Sequence, residues 1–310
     1  MNFLVTGGAG FIGSNLVDLL VSNGHKVTII DDLSTGKISN ISHHKSVEFI
    51  NKKVQKYSFD KMNKFNGIFH LAAQASVPLS IQDFYKSSLN NIDSSIKIIE
   101  FAKNKNLPFV YASTSALYGS LEFGSEKSNV VSIESPYAMD KYFLEKYCNL
   151  FNKISKMKSS GLRLFNVYGP RQDSSNPYSG VISIFIDRIL SKKSIVINGG
   201  NQTRDFIFVG DVVNIFYQTM IKLISGINFD IKNFNVCTGK SISIINLAEI
   251  LFQILNTRSE IIYKEIQFGD PHKSEGDFKF LLNNFPEDFK NFLNLDNGLR
   301  ITVDSFKSKL

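Results

Sequence analysis

The first apolar run, within residues 2–6, gives way at once to Gly7-Gly8-Ala9-Gly10-Phe11-Ile12-Gly13, after which Leu16, Leu19 and Leu20 recur at helical spacing. Strand, glycine turn and helix follow one another in that order. A second run, Lys26–Ile30, ends in Asp31-Asp32, and further runs lie at Val47–Ile50, at Ile68–Leu71 and before Ser113. Helical patterns separate them, the longest from about Tyr85 to Lys103. This alternation predicts an α/β chain with a Rossmann-type, doubly wound parallel sheet. Beyond residue 160 the pattern loosens into a strand and turn at Leu162–Gln172, a helix at Val181–Leu190, a short strand, and Gly199–Phe206.

The glycines carry the first chemistry. They permit a tight turn and a close backbone approach that sets a pyrophosphate on a helix N-terminus. A carboxylate closing the next strand accepts ribose hydroxyls and repels a 2′-phosphate, so Asp31-Asp32 favours NAD over NADP. Ligands of such sheets collect at strand C-termini, where the small residues of His70-Leu71-Ala72-Ala73 leave room for a cofactor. His70 itself reads as structural. The expected division is a dinucleotide-binding domain over residues 1–165, with 205–225 returning to it, and a smaller α/β substrate lobe from 166–204 and 226–310.

A chain of 310 residues with 43% hydrophobic content can bury a large core. Its net charge of +7 does not mark a nucleic-acid partner, because the lysines are scattered and there are only six arginines. Arg163, Arg171 and Arg204 stand in motif-like segments, where a planar fork for phosphate is expected. Two cysteines, Cys148 and Cys237, give neither a disulfide framework nor metal-ligand spacing, and no metal is expected. The strand at the N-terminus leaves no room for a leader, and no apolar run is long enough for a membrane span. A cytoplasmic enzyme is the expectation.

Ser135-Pro136-Tyr137-Ala138-Met139-Asp140-Lys141 follows an apolar strand that ends in hydroxyls, Ser113-Thr114-Ser115. Ser135 and Pro136 suit a helix cap and first turn. Positions four apart share a helix face, so the Lys141 ammonium should lie one turn from the Tyr137 phenol. At an effective dielectric near 20, unit charges about 5 Å apart interact by roughly 3 kcal/mol, and about 1.4 kcal/mol moves a pKa by one unit. Lysine and an oxidised nicotinamide together would bring the phenol toward neutrality, making it a general base for an alcohol proton.

In these residues the chain resembles the extended short-chain dehydrogenase/reductase family, specifically its nucleotide-sugar 4-epimerases. The matches also take in Asp31–Gly36, Ser76-Val77-Pro78, Tyr118-Gly119, Phe165–Arg171 and Arg204-Asp205-Phe206. The resemblance implies that Gly7, Gly10, Phe11, Ile12 and Gly13 hold NAD together with Asp31, Asp32, Leu33, Ser34, Thr35 and Gly36. Leu71, Ala72, Ala73, Asn91, Tyr137 and Lys141 complete that set. It implies Thr114, Tyr137 and Lys141 as catalytic, Thr114 bonding the sugar 4-hydroxyl and Lys141 also holding the nicotinamide ribose. Substrate contacts are implied at Ser76, Val77, Thr114, Ser115, Tyr137, Asn166, Arg171, Arg204, Asp270 and Ser274. The implied reaction takes hydride from C4 to NAD, turns the 4-keto sugar over, and returns hydride to its other face.

Dehydrating relatives carry Asp-Glu after the catalytic threonine and decarboxylating ones a glutamate, whereas Ser115-Ala116 stands here, so epimerisation is favoured. A dehydratase or reductase on the same base and a silent NAD-binding sensor are the alternatives, and intact Thr114, Tyr137 and Lys141 speak against silence. Ser274 aligns with a gate where tyrosine excludes the 2-acetamido group; a small serine implies UDP-GlcNAc/UDP-GalNAc as substrates alongside UDP-Glc/UDP-Gal. Two features depart from the family pattern: Gln267 and Phe268 stand where the resemblance implies a diphosphate-gripping arginine, and Lys53 stands in place of an adenine-contacting aspartate. The resemblance also implies a homodimer built on the helix from Tyr85 and the one bearing Tyr137.

Overall fold

The computed structural model describes residues 1–59, 62, 64–128, 130–175, 180–265 and 271–308. The chain opens with β1 (Asn2–Thr6), α1 (Phe11–Ser22), β2 (Lys26–Asp31), β3 (Val47–Asn51), β4 (Gly67–His70), α2 (Val77–Gln82), α3 (Phe84–Asn104) and β5 (Phe109–Thr114). There follow β6 (Phe123–Gly124), α4 (Pro136–Ile154), β7 (Ser159–Leu164), β8 (Asn166–Tyr168), α5 (Val181–Leu190), β9 (Ile195–Asn198) and β10 (Thr203–Phe208). Then come α6 (Val209–Ile224), β11 (Asn233–Val236), β12 (Ser241–Ser243), α7 (Ile244–Leu255), β13 (Ile261–Lys264), β14 (Lys273–Gly276) and short C-terminal helices.

A seven-stranded sheet has the order β3-β2-β1-β4-β5-β7-β11. From β3 to β5 the pairs are parallel, and Thr6 lies beside Ile30 on one side and His70 on the other. The order steps outward from β1 in both directions, which is the doubly wound arrangement the alternation predicts, and the reversal beside β1 is where such sheets take ligands. Leu4, Val5, Ile29, Ile30, Ile68 and Phe69 are all fully buried, which explains why these strands read as unbroken apolar runs rather than alternating ones.

The chain forms two compact units. The first comprises Met1–Thr114, Ser135–Arg163 and Val213–Phe234, and its core gathers Leu4, Ile68, Phe109, Tyr111 and Leu144. The second comprises Ser115–Glu134, Leu164–Val212 and Asn235–Leu310, with Phe185, Ile197, Leu247, Leu251 and Leu299 in its core. In this second unit β10 is the hub, pairing with β12 antiparallel and with β14 and β8 parallel. Cys148 and Cys237 are free and buried. Among the described residues no helix is long and apolar enough to cross a membrane.

Candidate active site

The glycine turn is built by close approach. Gly7 adopts a left-handed φ of 73°, and a Cβ there would sit 2.6 Å from the Ala72 nitrogen; one at Gly13 would sit 2.0 Å from the Gly7 carbonyl oxygen. Gly10 caps α1 without any side-chain bond, so the helix's first amides and its positive dipole end are not claimed by a side-chain cap. The Asp31 carboxylate closes β2 and accepts N–H bonds from Ala9 at 2.9 Å and Leu33 at 2.8 Å, which ties the strand end to the turn. Burial raises its pKa, and those two N–H groups oppose the rise. Leu33 is itself held at φ 57°, and the Ser34 amide donates to Asp32 at 3.0 Å. A side-chain-free cradle at a helix N-terminus, with a fixed carboxylate at the next strand end, fits a dinucleotide pyrophosphate and its adenosine ribose.

At the end of β5 and the start of α4, Thr114, Tyr137 and Lys141 are each less than a tenth exposed. The cap expected from Ser135 forms, its hydroxyl accepting from the Ala138 amide at 3.2 Å with Pro136 opening the helix. The Tyr137 amide donates to Ser80 at 3.1 Å. Burial pushes the Tyr137 phenol up to about 12; the hydrogen bond it receives from Thr114 opposes this, and the Asp140 carboxylate adds to it. Lys141 is brought down to about 8 by burial, with Asp140 holding it up, and its ammonium donates to the Ala112 carbonyl at 2.8 Å. The expected lowering draws on an oxidised nicotinamide as well as on Lys141; the protein alone raises the phenol. Desolvation of the buried ring is the larger effect.

Asn91 sits in this neighbourhood with its carboxamide committed to the protein. Its oxygen accepts the Gln74 amide at 2.8 Å, and its nitrogen donates to the Gln74 carbonyl at 3.1 Å and to Asp140 at 3.0 Å. Ser88 donates to the same Asp140 oxygen at 3.2 Å. Asn91 thus clamps the segment after β4, which carries Leu71, Ala72 and Ala73, to α3 and to the turn of α4 that bears Lys141. Ser76 caps α2 by accepting from Leu79, and Val77 is that helix's first residue. His70 is fully buried, 2.7 Å from the Thr6 hydroxyl, and burial brings it to about 3, which keeps it neutral.

Arg163 needs a correction. It is not a fork for phosphate. Its guanidinium is buried and grips Glu145 through Nε at 2.9 Å and through a terminal nitrogen at 2.7 Å. Ser113 donates to the same carboxylate at 2.6 Å. The strand context that makes Arg163 conspicuous is that of an interior strand, where a cation is held only by a partner.

The other substrate candidates lie in the second unit. Asn166 and Arg204, with Gln172, Val181, Ile197 and Phe206, line a cavity of about 250 Å³. Asn166 donates to the Asp205 carbonyl at 3.1 Å, and Arg204 donates to the Thr203 carbonyl at 2.8 Å. Arg171 adopts φ 72° just past Gly169 and does not line the cavity, whereas its neighbour Gln172 does. Ser274 on β14 pairs in register with Arg204, and its neighbour Glu275 accepts from Ser241 at 2.7 Å. Ser115 begins a short 3₁₀ turn. Asp270, Gln267 and Phe268 lie outside the described residues.

Sheet topology, glycine cradle and the buried Thr114–Tyr137–Lys141 group together define an NAD-dependent enzyme of the extended short-chain dehydrogenase/reductase class. The chain belongs to the NAD dependent epimerase/dehydratase family, whose model matches residues 3–236. It is 31% identical over 322 residues to the UDP-glucose 4-epimerase of Mycolicibacterium smegmatis, covering 100% of this chain and 99% of that one. A solved UDP-N-acetylglucosamine 4-epimerase from Methanobrevibacter ruminantium, in complex with UDP-N-acetylmuramic acid, superposes with TM-score 0.90 at 35% identity, covering 100% of this chain and 99% of that one. The UDP-glucose 4-epimerase of Thermus thermophilus, in complex with NAD, gives 0.88 at 28% identity and covers 100% of both chains.

Proposed function

We propose that this chain is a UDP-sugar 4-epimerase that interconverts UDP-GlcNAc with UDP-GalNAc and UDP-Glc with UDP-Gal. The observation that carries the reading is the buried phenol of Tyr137, bonded to Thr114 and one helical turn from Lys141, with Ser115-Ala116 rather than an acid pair behind the threonine. Tyr137 takes the proton of the sugar 4-hydroxyl and returns it, while Thr114 holds the same oxygen. NAD held at the Gly7–Gly13 turn and the end of β2 would supply a reversible hydride acceptor, so sugar mass would be conserved. Burial brings Lys141 down to about 8, and its ammonium together with the positive ring of an oxidised nicotinamide would favour phenolate against the burial that raises Tyr137. Water and acid for elimination have no group to run them at Ser115-Ala116. The grip on UDP falls to Asn166 and Arg204 around the cavity of the second unit, and grip concentrated on the nucleotide leaves the sugar free to turn.

Ser274 sets the range of sugars in this reading. The likeness to a UDP-N-acetylglucosamine 4-epimerase supports the N-acetylated pair as substrates, and Ser274 stands in register with Arg204, which lines the cavity. Incubation with UDP-GlcNAc and with UDP-Glc, followed by NMR, is expected to show both 4-epimers with no net NADH. Ser274→Tyr should lower kcat/KM for the N-acetylated pair by about a hundredfold relative to UDP-Glc, since steric exclusion acts on one substrate alone. A purified protein that turns over UDP-Gal but leaves UDP-GalNAc untouched refutes the gate; a 4-keto product short of one water refutes the reaction.

The helices α3 and α4 bear the homodimer expectation. Tyr85, Leu89, Ile92 and Ile96 form one stripe on α3, and Met139, Phe143, Leu150 and Ile154 form another on α4, with most of these side chains exposed. A second copy of the chain packing its same pair of helices there would bury both stripes. Light scattering should give a dimer mass for the native protein and a monomer for Leu89→Glu/Ile96→Glu. A native monomer at micromolar concentration removes this proposal.

A further inference from the structure

One cluster away from the glycine cradle and the buried tyrosine brings together side chains that no catalytic step uses. His43 and His44 stand between β2 and β3, and Asp18 stands on α1. Nε2 of His43 lies 3.2 Å and Nε2 of His44 lies 2.6 Å from the same oxygen, Asp18 Oδ1. The two rings lie side by side with centroids 3.9 Å apart. Among the described residues this is the group of three such side chains whose donor atoms all fall within 4.8 Å of one another.

A single histidine is enough to satisfy a carboxylate oxygen by hydrogen bonding. A second imidazole that presents the same nitrogen to the same oxygen, from the next residue along, adds little as a hydrogen bond and supplies a further corner of a coordination sphere. Metal–nitrogen and metal–oxygen bonds of about 2.0–2.2 Å in tetrahedral geometry set ligand atoms roughly 3.3 Å apart, so shifts of about an ångström would suffice. Imidazole and carboxylate donors suit Zn²⁺, Ni²⁺ or Cu²⁺ better than Mg²⁺ or Ca²⁺, which demand oxygen. The side chain of His44 is only 15% exposed while that of His43 is 49% exposed, which gives a site with one sheltered ligand and one open side for water.

We propose that Asp18, His43 and His44 form a binding site for a divalent transition-metal ion of the Zn²⁺ class, which fastens the segment between β2 and β3 onto α1. The near end of that segment is already tied to the glycine turn, since the Lys37 amide and the Asn40 side chain donate to the Ala9 carbonyl at 3.0 and 2.9 Å. An ion at His43 and His44 adds a second tie to the stretch that follows Asp32–Gly36. Slower release of NAD with the ion bound is the consequence, and this step rests on the cofactor role that the family resemblance and the proposed function give to those residues.

The test uses the full chain free of any polyhistidine tag, stripped with chelator and titrated with Zn²⁺ against a chromophoric competitor. One Zn²⁺ per chain is expected, with affinity at least tenfold weaker in Asp18→Asn and in His44→Gln, unchanged in His272→Gln, and no competition by Mg²⁺. Absence of stoichiometric binding, or equal binding by the His43→Gln/His44→Gln double variant, overturns the site. NAD release from the loaded protein, followed by fluorescence with and without Zn²⁺, is the separate readout. Binding without slower release keeps the metal site and overturns only its link to the cofactor, and so would leave the epimerase reading untouched.

Discussion

Tyr137→Phe is expected to lower kcat for UDP-sugar epimerisation by about 10²–10⁴-fold, a barrier increase of about 3–5 kcal/mol, with UDP affinity unchanged. The substitution removes one oxygen and keeps a ring that is 8% exposed and packed in place, so the fold has little reason to respond. What is lost is the acceptor for the 4-hydroxyl proton and the partner of the Thr114 hydroxyl. An interaction used only while the proton is in flight affects kcat and kcat/KM together, whereas a binding defect shifts KM. Initial rates followed by NMR, with calorimetric UDP binding as control, separate the two. Thr114→Ser should retain most of the turnover and Thr114→Val should not, because the hydroxyl and not the methyl holds the phenol. Full turnover by Tyr137→Phe would sink the assignment of the base.

The parts of this site that are legible in the sequence are those where local chemistry forces a residue type. Gly7 and Gly13 can be read because a Cβ has nowhere to go, and Ser135-Pro136 because a helix start needs a cap. The strands can be read because burial on both faces erases their alternation. What stays hidden is set by long-range pairing. Asp140 looks like spacer between Tyr137 and Lys141, yet it lies at 5% exposure and receives Asn91 and Ser88 from another helix. A signal is present: Tyr137, Asp140, Leu144 and Cys148 recur at three- and four-residue intervals, so Asp140 shares the buried face. Arg163 misleads for the same reason, its partner being 18 residues upstream in a different element. The direction of the Tyr137 shift escapes the sequence because spacing reveals a neighbouring charge and says nothing of the desolvation that opposes it.

The Arg163–Glu145 pair should dominate the stability of the first unit to any single polar substitution: Arg163→Met is expected to cost about 3–5 kcal/mol and to lower the melting temperature by on the order of 10 °C. Both side chains are nearly sealed from water, with side-chain exposures of 6% and 2%, and the contact is a two-nitrogen fork. Removing the cation strands a carboxylate that cannot reach water, and most of the cost is that stranded charge rather than a lost attraction. If so, the double variant Arg163→Met/Glu145→Met should recover much of the loss, although each change alone is harmful, and the coupling in this cycle measures the penalty. The damage should reach catalysis too. Arg163 ties β7 to α4 through Glu145. Ser113, which precedes Thr114 on β5, donates to the same carboxylate, and Glu145 stands one turn beyond Lys141, so losing the pair disturbs the carboxylate that also ties β5 to α4 beside the three candidate catalytic side chains. Calorimetric melting of the two single variants and the double, each with turnover measured well below its transition, reads both effects. A single variant as stable as the native chain, or a double as unstable as the sum of its parts, would show that the ion pair does not hold the strand and helix together.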